Sequence, residues 1–354
     1  MSNNQSNSFL LHVSSTQSRE IHSFAMDAYT GKLTLIEAIK VPGTGEPTRG
    51  NIPLVWGQDK TVLYAHIRIE PFPLTAFSLD SLAKTLKPLE TISMPAPMAY
   101  FSTGLSGKFL FGASYDGALV TVNQILPDGR LSAPCEQVLP TPPKAHCIIP
   151  ASFDGFMYAT SVDGDAILVY SLDKTTGRLN ELEELRVKAT NGSGPRHLVF
   201  HPQLDCLYCI NEHNGSLSVY KADRCSGALE RLQNLSLVPT GFAGNALASD
   251  IHITPDGSYI YASVRNTNTI SGFRIDQIMG TLSAVGTFDA EKNPRGFAID
   301  PKGRFLVCAG QETNHIAVYK LEPYTGRLML VDRYPVGKRP GWIEIIDMPR
   351  DSNL

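Results

Sequence analysis

The sequence predicts an all-β fold: a seven-bladed β-propeller with four-stranded antiparallel blades, its ring closed by pairing of the N- and C-terminal strands. Three observations predict it. An apolar triplet recurs as Val62-Leu63-Tyr64, Phe109-Leu110-Phe111, Phe156-Met157-Tyr158, Cys206-Leu207-Tyr208, Tyr259-Ile260-Tyr261 and Phe305-Leu306-Val307, with third members 46 to 53 residues apart. An alternating strand follows each triplet, anchored by Phe77, Val122, Tyr170, Tyr220, Phe273 and Tyr319, and Phe24 makes a seventh anchor. A glycine turn recurs as Tyr29-Thr-Gly-Lys-Leu33, Pro127-Asp-Gly-Arg-Leu131, Thr175-Thr-Gly-Arg-Leu179 and Tyr324-Thr-Gly-Arg-Leu328. Periods of roughly 40–50 residues, each holding several short strands, are the signature of propeller blades.

Each element then has its reason. Phe9-Leu-Leu-His-Val13 reads as a second strand with no first strand before it. At the other end, Gly341-Trp-Ile-Glu-Ile-Ile346 is a first strand with nothing after it. Pairing the two completes blade one and removes an exposed edge. In the remaining copies a first strand such as Arg196-His-Leu-Val-Phe200 leads into a tight turn, as at Pro255-Asp-Gly257 or Pro301-Lys-Gly303. The triplet strand, the anchored strand, the glycine turn and a fourth strand follow. Degenerate turn copies stand at Cys225-Ser-Gly-Ala-Leu229 and Ile278-Met-Gly-Thr-Leu282, and the copy from Ser81 to Leu86 has lost its glycine. Apolar spacing at i, i+3, i+4 is nowhere sustained over 11 residues, so long helices are not expected. The expected layout is a polar disordered tail over residues 1–8, one propeller over 9–348 and a second tail over 349–354.

Composition fits a packed fold: 42% of the 354 residues are hydrophobic and 18% charged, with 29 glycines and 24 prolines for frequent turns. The 31 basic and 34 acidic residues leave a formal charge of -3, so no positive field argues for nucleic acid or a membrane surface. No apolar run approaches the ~18 residues of a membrane-spanning helix, and the opening Met-Ser-Asn-Asn lacks the apolar core of a secretory signal. Six cysteines in so long a chain suggest free, reduced thiols and a cytoplasmic protein. Cys206 and Cys209 resemble a metal or redox pair, but an odd offset on a strand puts them on opposite faces. A monomer or weak homodimer is the expected assembly.

In a four-stranded meander the tight turns share one face of the ring, and the links entering strand one and leaving strand two share the other. Those links hold the chemistry: Lys144-Ala-His146, Gly194-Pro-Arg196-His197, Ala248-Ser-Asp250, Asn293-Pro-Arg295, His66-Ile-Arg68, Ile210-Asn-Glu212-His213, Ser263-Val-Arg265 and Ala309-Gly-Gln311. First strands line a propeller's axis, so Arg196, Arg265 and Arg295, with His146, His197 and Glu212, are predicted to converge at the mouth of the central channel. Arginine binds phosphate or carboxylate in a fork, and a carboxylate or imidazole moves protons. A small anionic substrate fits that set. Taken singly, each arginine is more often a solvated or inter-blade salt-bridging residue. His201 and His252 are expected in core or turn positions bonded to backbone, and His315 in an exposed loop. A metal site from His146, Glu212 and His213 lacks compact ligand spacing. No Gly-x-Ser-x-Gly elbow, phosphate loop or dinucleotide fingerprint occurs, and no cofactor is expected.

The segments Gly194-Pro-Arg-His-Leu-Val-Phe-His-Pro202, Tyr208-Cys-Ile-Asn-Glu212, Ser249-Asp-Ile-His-Ile-Thr-Pro-Asp-Gly257 and Asn293-Pro-Arg-Gly-Phe297 closely resemble the lactonase family of seven-bladed propellers, over about residues 9 to 348. The resemblance implies hydrolysis of a sugar lactone, with 6-phosphogluconolactone the default substrate. A fungal branch of that family, the carboxy-muconate lactonizing enzymes, implicates a His, an Arg and a Glu. The matching positions here are His146, Arg196 and Glu212, and Arg265 matches a further arginine. The first half departs from the pattern. Where relatives often carry Pro-Thr-His entering the third blade, Met98-Ala-Tyr100 stands here, and Arg49-Gly-Asn-Ile-Pro53 is also unusual. Both segments face the expected pocket.

Three functions remain open at this stage. The first is a lactonase without metal, with Glu212 or His146 as general base, Arg196 on the oxyanion, and Arg265 and Arg295 on the substrate anion; His197, Gln311 and Tyr100 complete the substrate-binding set. The second is a lactonizing or cycloisomerizing enzyme for an unsaturated diacid. The third is a non-catalytic interaction platform, which would need exposed aromatic anchors; Trp56 and Trp342 instead lie within first strands.

Overall fold

The structure, a computed structural model, describes residues 8–44, 50–153 and 155–348. Seven antiparallel sheets surround one axis, six from consecutive stretches of chain and one from both ends. In that first blade Pro340–Asp347 is innermost and pairs with Ser8–Ser15, followed outward by Glu20–Asp27 and Leu33–Lys40. The register sets Leu10 opposite Ile346 and Val13 opposite Ile343. Ser8 is thus the first residue of a strand, while residues 1–7 and 349–354 of the expected tails lie outside the described residues. Blade four departs from the plain meander. Its outer strand is broken into Leu179–Glu181 and Val187–Lys188 by a short 3-10 turn, and both pieces pair with Ala166–Leu172.

The repeats visible in the sequence are coupled across blade boundaries. Tyr64, Tyr158, Tyr208 and Tyr261, from the second strands of blades two, four, five and six, each donate a hydroxyl hydrogen bond to the glycine-turn carbonyl of the next blade (Gly129, Gly227, Gly280 and Gly326) at 2.7–2.8 Å. Gly227 shows why that turn needs glycine: its φ is +78°, and a Cβ would lie 2.5 Å from the Phe156 ring. Where the glycine is missing, Lys84 takes the left-handed conformation, at φ +60°.

Apolar side chains pack between blades rather than in one central core. Tyr208, Ile210 and Val219 of blade five, for example, pack with Ile251, Ile260 and Val264 of blade six. Cys206 belongs to that cluster, whereas Cys209 faces blade four with Cys147 and Tyr158, so the two thiols point to opposite sides of their strand. No helix among the described residues is long and apolar enough to cross a membrane.

Candidate active site

Two rings of side chains meet at one end of the axis. The first comes from an irregularity repeated in the innermost strands. Ladder pairing skips Ala99, His146 with Cys147, Arg196, Ser249 with Asp250, Arg295 and Gly341 in blades three to seven and one. A bulge of this kind re-aims the unpaired residue, here toward the mouth of the channel. Ahead of it the chain often turns through a left-handed residue: Lys144, Gly194, Leu247, Asn293 or Arg339. The second ring comes from the ends of the second strands, four residues after the last member of each triplet: Arg68, Tyr115, Val162, Glu212, Arg265 and Gln311.

Glu212 sits at the centre of the charge. Its Oε1 accepts a 2.6 Å hydrogen bond from Arg265 Nη2, and its Oε2 lies 3.2 Å from Arg196 Nε. Burial alone would raise its pKa, but Arg196, Arg265 and Arg295 outweigh burial and hold it below the ordinary value. Arg265 is held at a second point, since its Nε also donates to Leu247 O at 2.9 Å. Arg196 is 1% exposed. Its Nη1 donates to Ser249 O and to His197 Nε2, 3.0 Å away, while Nη2 meets no partner among the described residues. Burial brings its pKa down to about 10, with Glu212 resisting, so it stays charged at neutral pH.

Arg295 stands apart. Its guanidinium has no hydrogen bond or ion pair among the described residues, and Nε is buried without a partner. Burial and the neighbouring Arg265 and Arg196 pull its pKa well below the usual range. Arg68 is half engaged, with Nη2 on Asp116 at 3.1 Å and Nε buried and unpaired. A buried guanidinium without a counter-ion is costly, and Arg295, within electrostatic reach of the unpaired Arg68 Nε, marks a place for an anion. His146 completes the group. Its ring makes no hydrogen bond, its Nδ1 is buried and unpaired, and it packs 5.0 Å from the His197 ring. Burial, then Arg196, His197, Arg295 and Arg68, drive its pKa well down, so the imidazole is neutral.

The structure therefore brings His146, Arg196, Glu212, Arg265 and Arg295 together at one mouth. Gln311 lies at the same rim and donates to Gly50 O at 3.1 Å. His197 and Tyr100 sit deeper: their rings contact each other at 5.1 Å, and both line an axial cavity of about 230 Å³ with Trp342, Asp250, His252 and Glu344. Two expectations need correction. His252 bonds no backbone; its Nε2 lies 3.2 Å from Asp250 Oδ2 because its strand continues past the bulge into the channel. His315 is no loop residue. It opens the strand His315–Leu321, half-buried, with Nδ1 2.7 Å from Thr313 O. His201 does bond backbone, at Gly257 O, Gln203 N and Leu204 N. Arg68 and Asp250 were missed as site residues, although each occupies the repeat position of a residue that was chosen. Among the described residues no cluster of three His, Cys, Asp or Glu side chains is placed to hold a metal ion.

Comparison with known proteins agrees with the fold. The family model described as "Lactonase, 7-bladed beta-propeller" matches residues 7–345. A 6-phosphogluconolactonase of Pectobacterium atrosepticum is 35% identical over 82% of this chain and 84% of its own length. One from Serratia proteamaculans is 33% identical over 95% and 98%. A solved Bacteroides fragilis structure, provisionally described as a 6-phosphogluconolactonase, superposes with a TM-score of 0.88 at 26% identity, covering 98% of this chain and 100% of the other.

Proposed function

The chain belongs to the family of seven-bladed β-propeller lactonases, and from that premise we propose that it hydrolyses a sugar lactone bearing an anionic group, 6-phosphogluconolactone before others. The observation that carries the choice of substrate is Arg295, a guanidinium with no ion pair among the described residues, within electrostatic reach of the half-engaged Arg68. A phosphate fills that need in a fork geometry.

The chemistry divides among the remaining groups. His146 accepts a proton from water, whose oxygen adds to the lactone carbonyl carbon. The oxyanion that forms rests against the unengaged Nη2 of Arg196, a fixed charge in a water-poor site. Collapse breaks the bond from acyl carbon to ring oxygen, and the His146 imidazolium returns its proton to that oxygen. The product is a hydroxy acid, which ionises and releases one proton at neutral pH. His146 is favoured over Glu212 as the base because Glu212 is held ionised by two arginines and already engaged, whereas His146 has a free nitrogen. Glu212 instead fixes Arg196 and Arg265. The same reading takes the protein as cytoplasmic, in keeping with six free cysteines, and as a monomer or weak homodimer.

A pH-indicator assay tests this directly. 6-Phosphogluconolactone should be opened with a kcat/KM at least ~10²-fold above that for unphosphorylated gluconolactone, the size of one or two charged contacts. Equal rates for the two, or rates no faster than spontaneous hydrolysis, would refute it.

A further inference from the structure

We infer that Asp250 is a positioning residue for lactone opening, acting through His197 to hold Arg196 where it can receive the oxyanion. The inference rests on the role of Arg196 proposed above. Asp250 enters from the bulge of blade six, and one carboxylate oxygen lies 2.8 Å from His197 Nδ1 in blade five. A carboxylate at this position can only accept, so Nδ1 carries the proton and Nε2 presents its lone pair. That lone pair faces Arg196 Nη1 at 3.0 Å. With the other tautomer, an imidazole N–H would meet a guanidinium N–H, and Arg196 would lose one of its two fixed Nη1 partners.

The surroundings favour the ionised carboxylate. Asp250 also accepts from the backbone N–H of Ile251 and Phe297, each at 3.0 Å, and lies 3.2 Å from His252 Nε2. Burial opposes its charge, but His252 and His197 outweigh burial and hold the carboxyl well below its usual range. His197 itself is lowered to about 4, by burial first and then by Arg196, and so is neutral in function. Both of its nitrogens are occupied within the protein. It therefore links Asp250 to Arg196 rather than binding substrate. The string runs Asp250, His197, Arg196, Glu212, with the free Nη2 of Arg196 pointing the charge at the reacting carbonyl.

The test is a double-mutant cycle on kcat with a separate reading of the imidazole. Asp250→Asn and His197→Gln should each lower kcat by roughly 10- to 100-fold with KM within about 3-fold, and the double variant should be no worse than Asp250→Asn alone, because the two act as one unit. Asp250→Glu, which keeps the charge, should recover part of the loss. Nitrogen-15 NMR of His197 should show the Nδ1–H tautomer in the wild-type protein and its loss in Asp250→Asn. This signal needs no turnover, so it judges the string even if no lactone is opened and the proposed activity fails. An Nε2–H tautomer in the wild type overturns the inference. So do losses in kcat that simply add, or a loss confined to KM. If Asp250→Asn fails to fold, His197→Gln and the wild-type spectrum still decide.

Discussion

Replacing Arg295 by Met should make the protein more stable and a worse enzyme. Met keeps most of the side-chain stem and removes a guanidinium whose Nε is buried without a partner. A buried unsatisfied donor costs about 1–3 kcal/mol, and the like charges of Arg196 and Arg265 add to that cost while Glu212 offsets part of it. Unfolding entropy of about 2.1 cal/mol/K per residue gives a 354-residue chain about 0.74 kcal/mol/K, so the melting temperature should rise by about 1–4 °C. Against that gain stands the lost contact to the substrate anion. One charged hydrogen-bonding contact is worth about 1.5–3 kcal/mol, a rise in KM of about 10- to 150-fold. That interaction is the same in ground and transition states, so kcat should change little. Scanning calorimetry, with and without 6-phosphogluconate, measures the first effect. The ligand should raise the wild-type transition and barely move the variant's. Indicator kinetics on phosphorylated and neutral lactones measure the second. A melting temperature lowered by several degrees, or equal loss of KM on both lactones, would refute the reasoning.

Glu212→Gln should lower stability by about 3–5 kcal/mol, the usual cost of removing one partner from a buried ion pair, and lower kcat as Arg196 loses its anchor; a melting curve unchanged within error would contradict the central place given to this carboxylate. If His146 is the base, activity requires its neutral form, and a depressed pKa carries that form to lower pH. The rate against pH should thus stay flat through neutrality and fall only below about 6.5, the ordinary imidazole value. Arg68→Gln and Arg295→Gln, each removing a nearby positive charge, should shift that acid limb upward in kcat/KM profiles, and a limb centred at or above 6.5 in the wild type would count against His146. Gly296→Ala would set a Cβ 2.5 Å from the backbone carbonyl of Gly341, at the join of blades seven and one. Backbone cannot yield as a side chain can, so a loss of about 1–3 kcal/mol is expected in denaturant titration, and a neutral result would show the join to be slack.

The repeats were legible because several are held by the same contact between neighbouring blades. A tyrosine in strand two and a glycine turn in strand three's wake are two halves of one hydrogen bond between neighbours, so both recur in the sequence. The convergence of His146, Arg196 and Arg295 was legible from which end of a strand each occupies. What the sequence hid was partnership. Strand parity gives a side chain's face only while the ladder is regular, and it fails at the bulges where Arg196 and Asp250 sit. Nor did the sequence show that Arg265, expected on the substrate, also pairs with Glu212, or that Arg68 supplies an unpaired donor from blade two. His252 was misjudged at such a bulge, its strand having been re-aimed two residues earlier.

The split first blade fixes when the molecule can exist. Leu10 leaves a ribosome about 336 residues ahead of Ile346, the residue opposite it. At roughly 5–20 residues per second the two emerge tens of seconds apart. Throughout that time the Ser8–Ser15 strand keeps one row of amide and carbonyl groups open to any passing chain. Blades two to seven gather in order behind it, yet none of them can stand in for the missing neighbour. The window is longest when translation is slow. Crowded, cold or heavily induced cells should therefore lose nascent copies to aggregation, even though the finished ring offers no such edge.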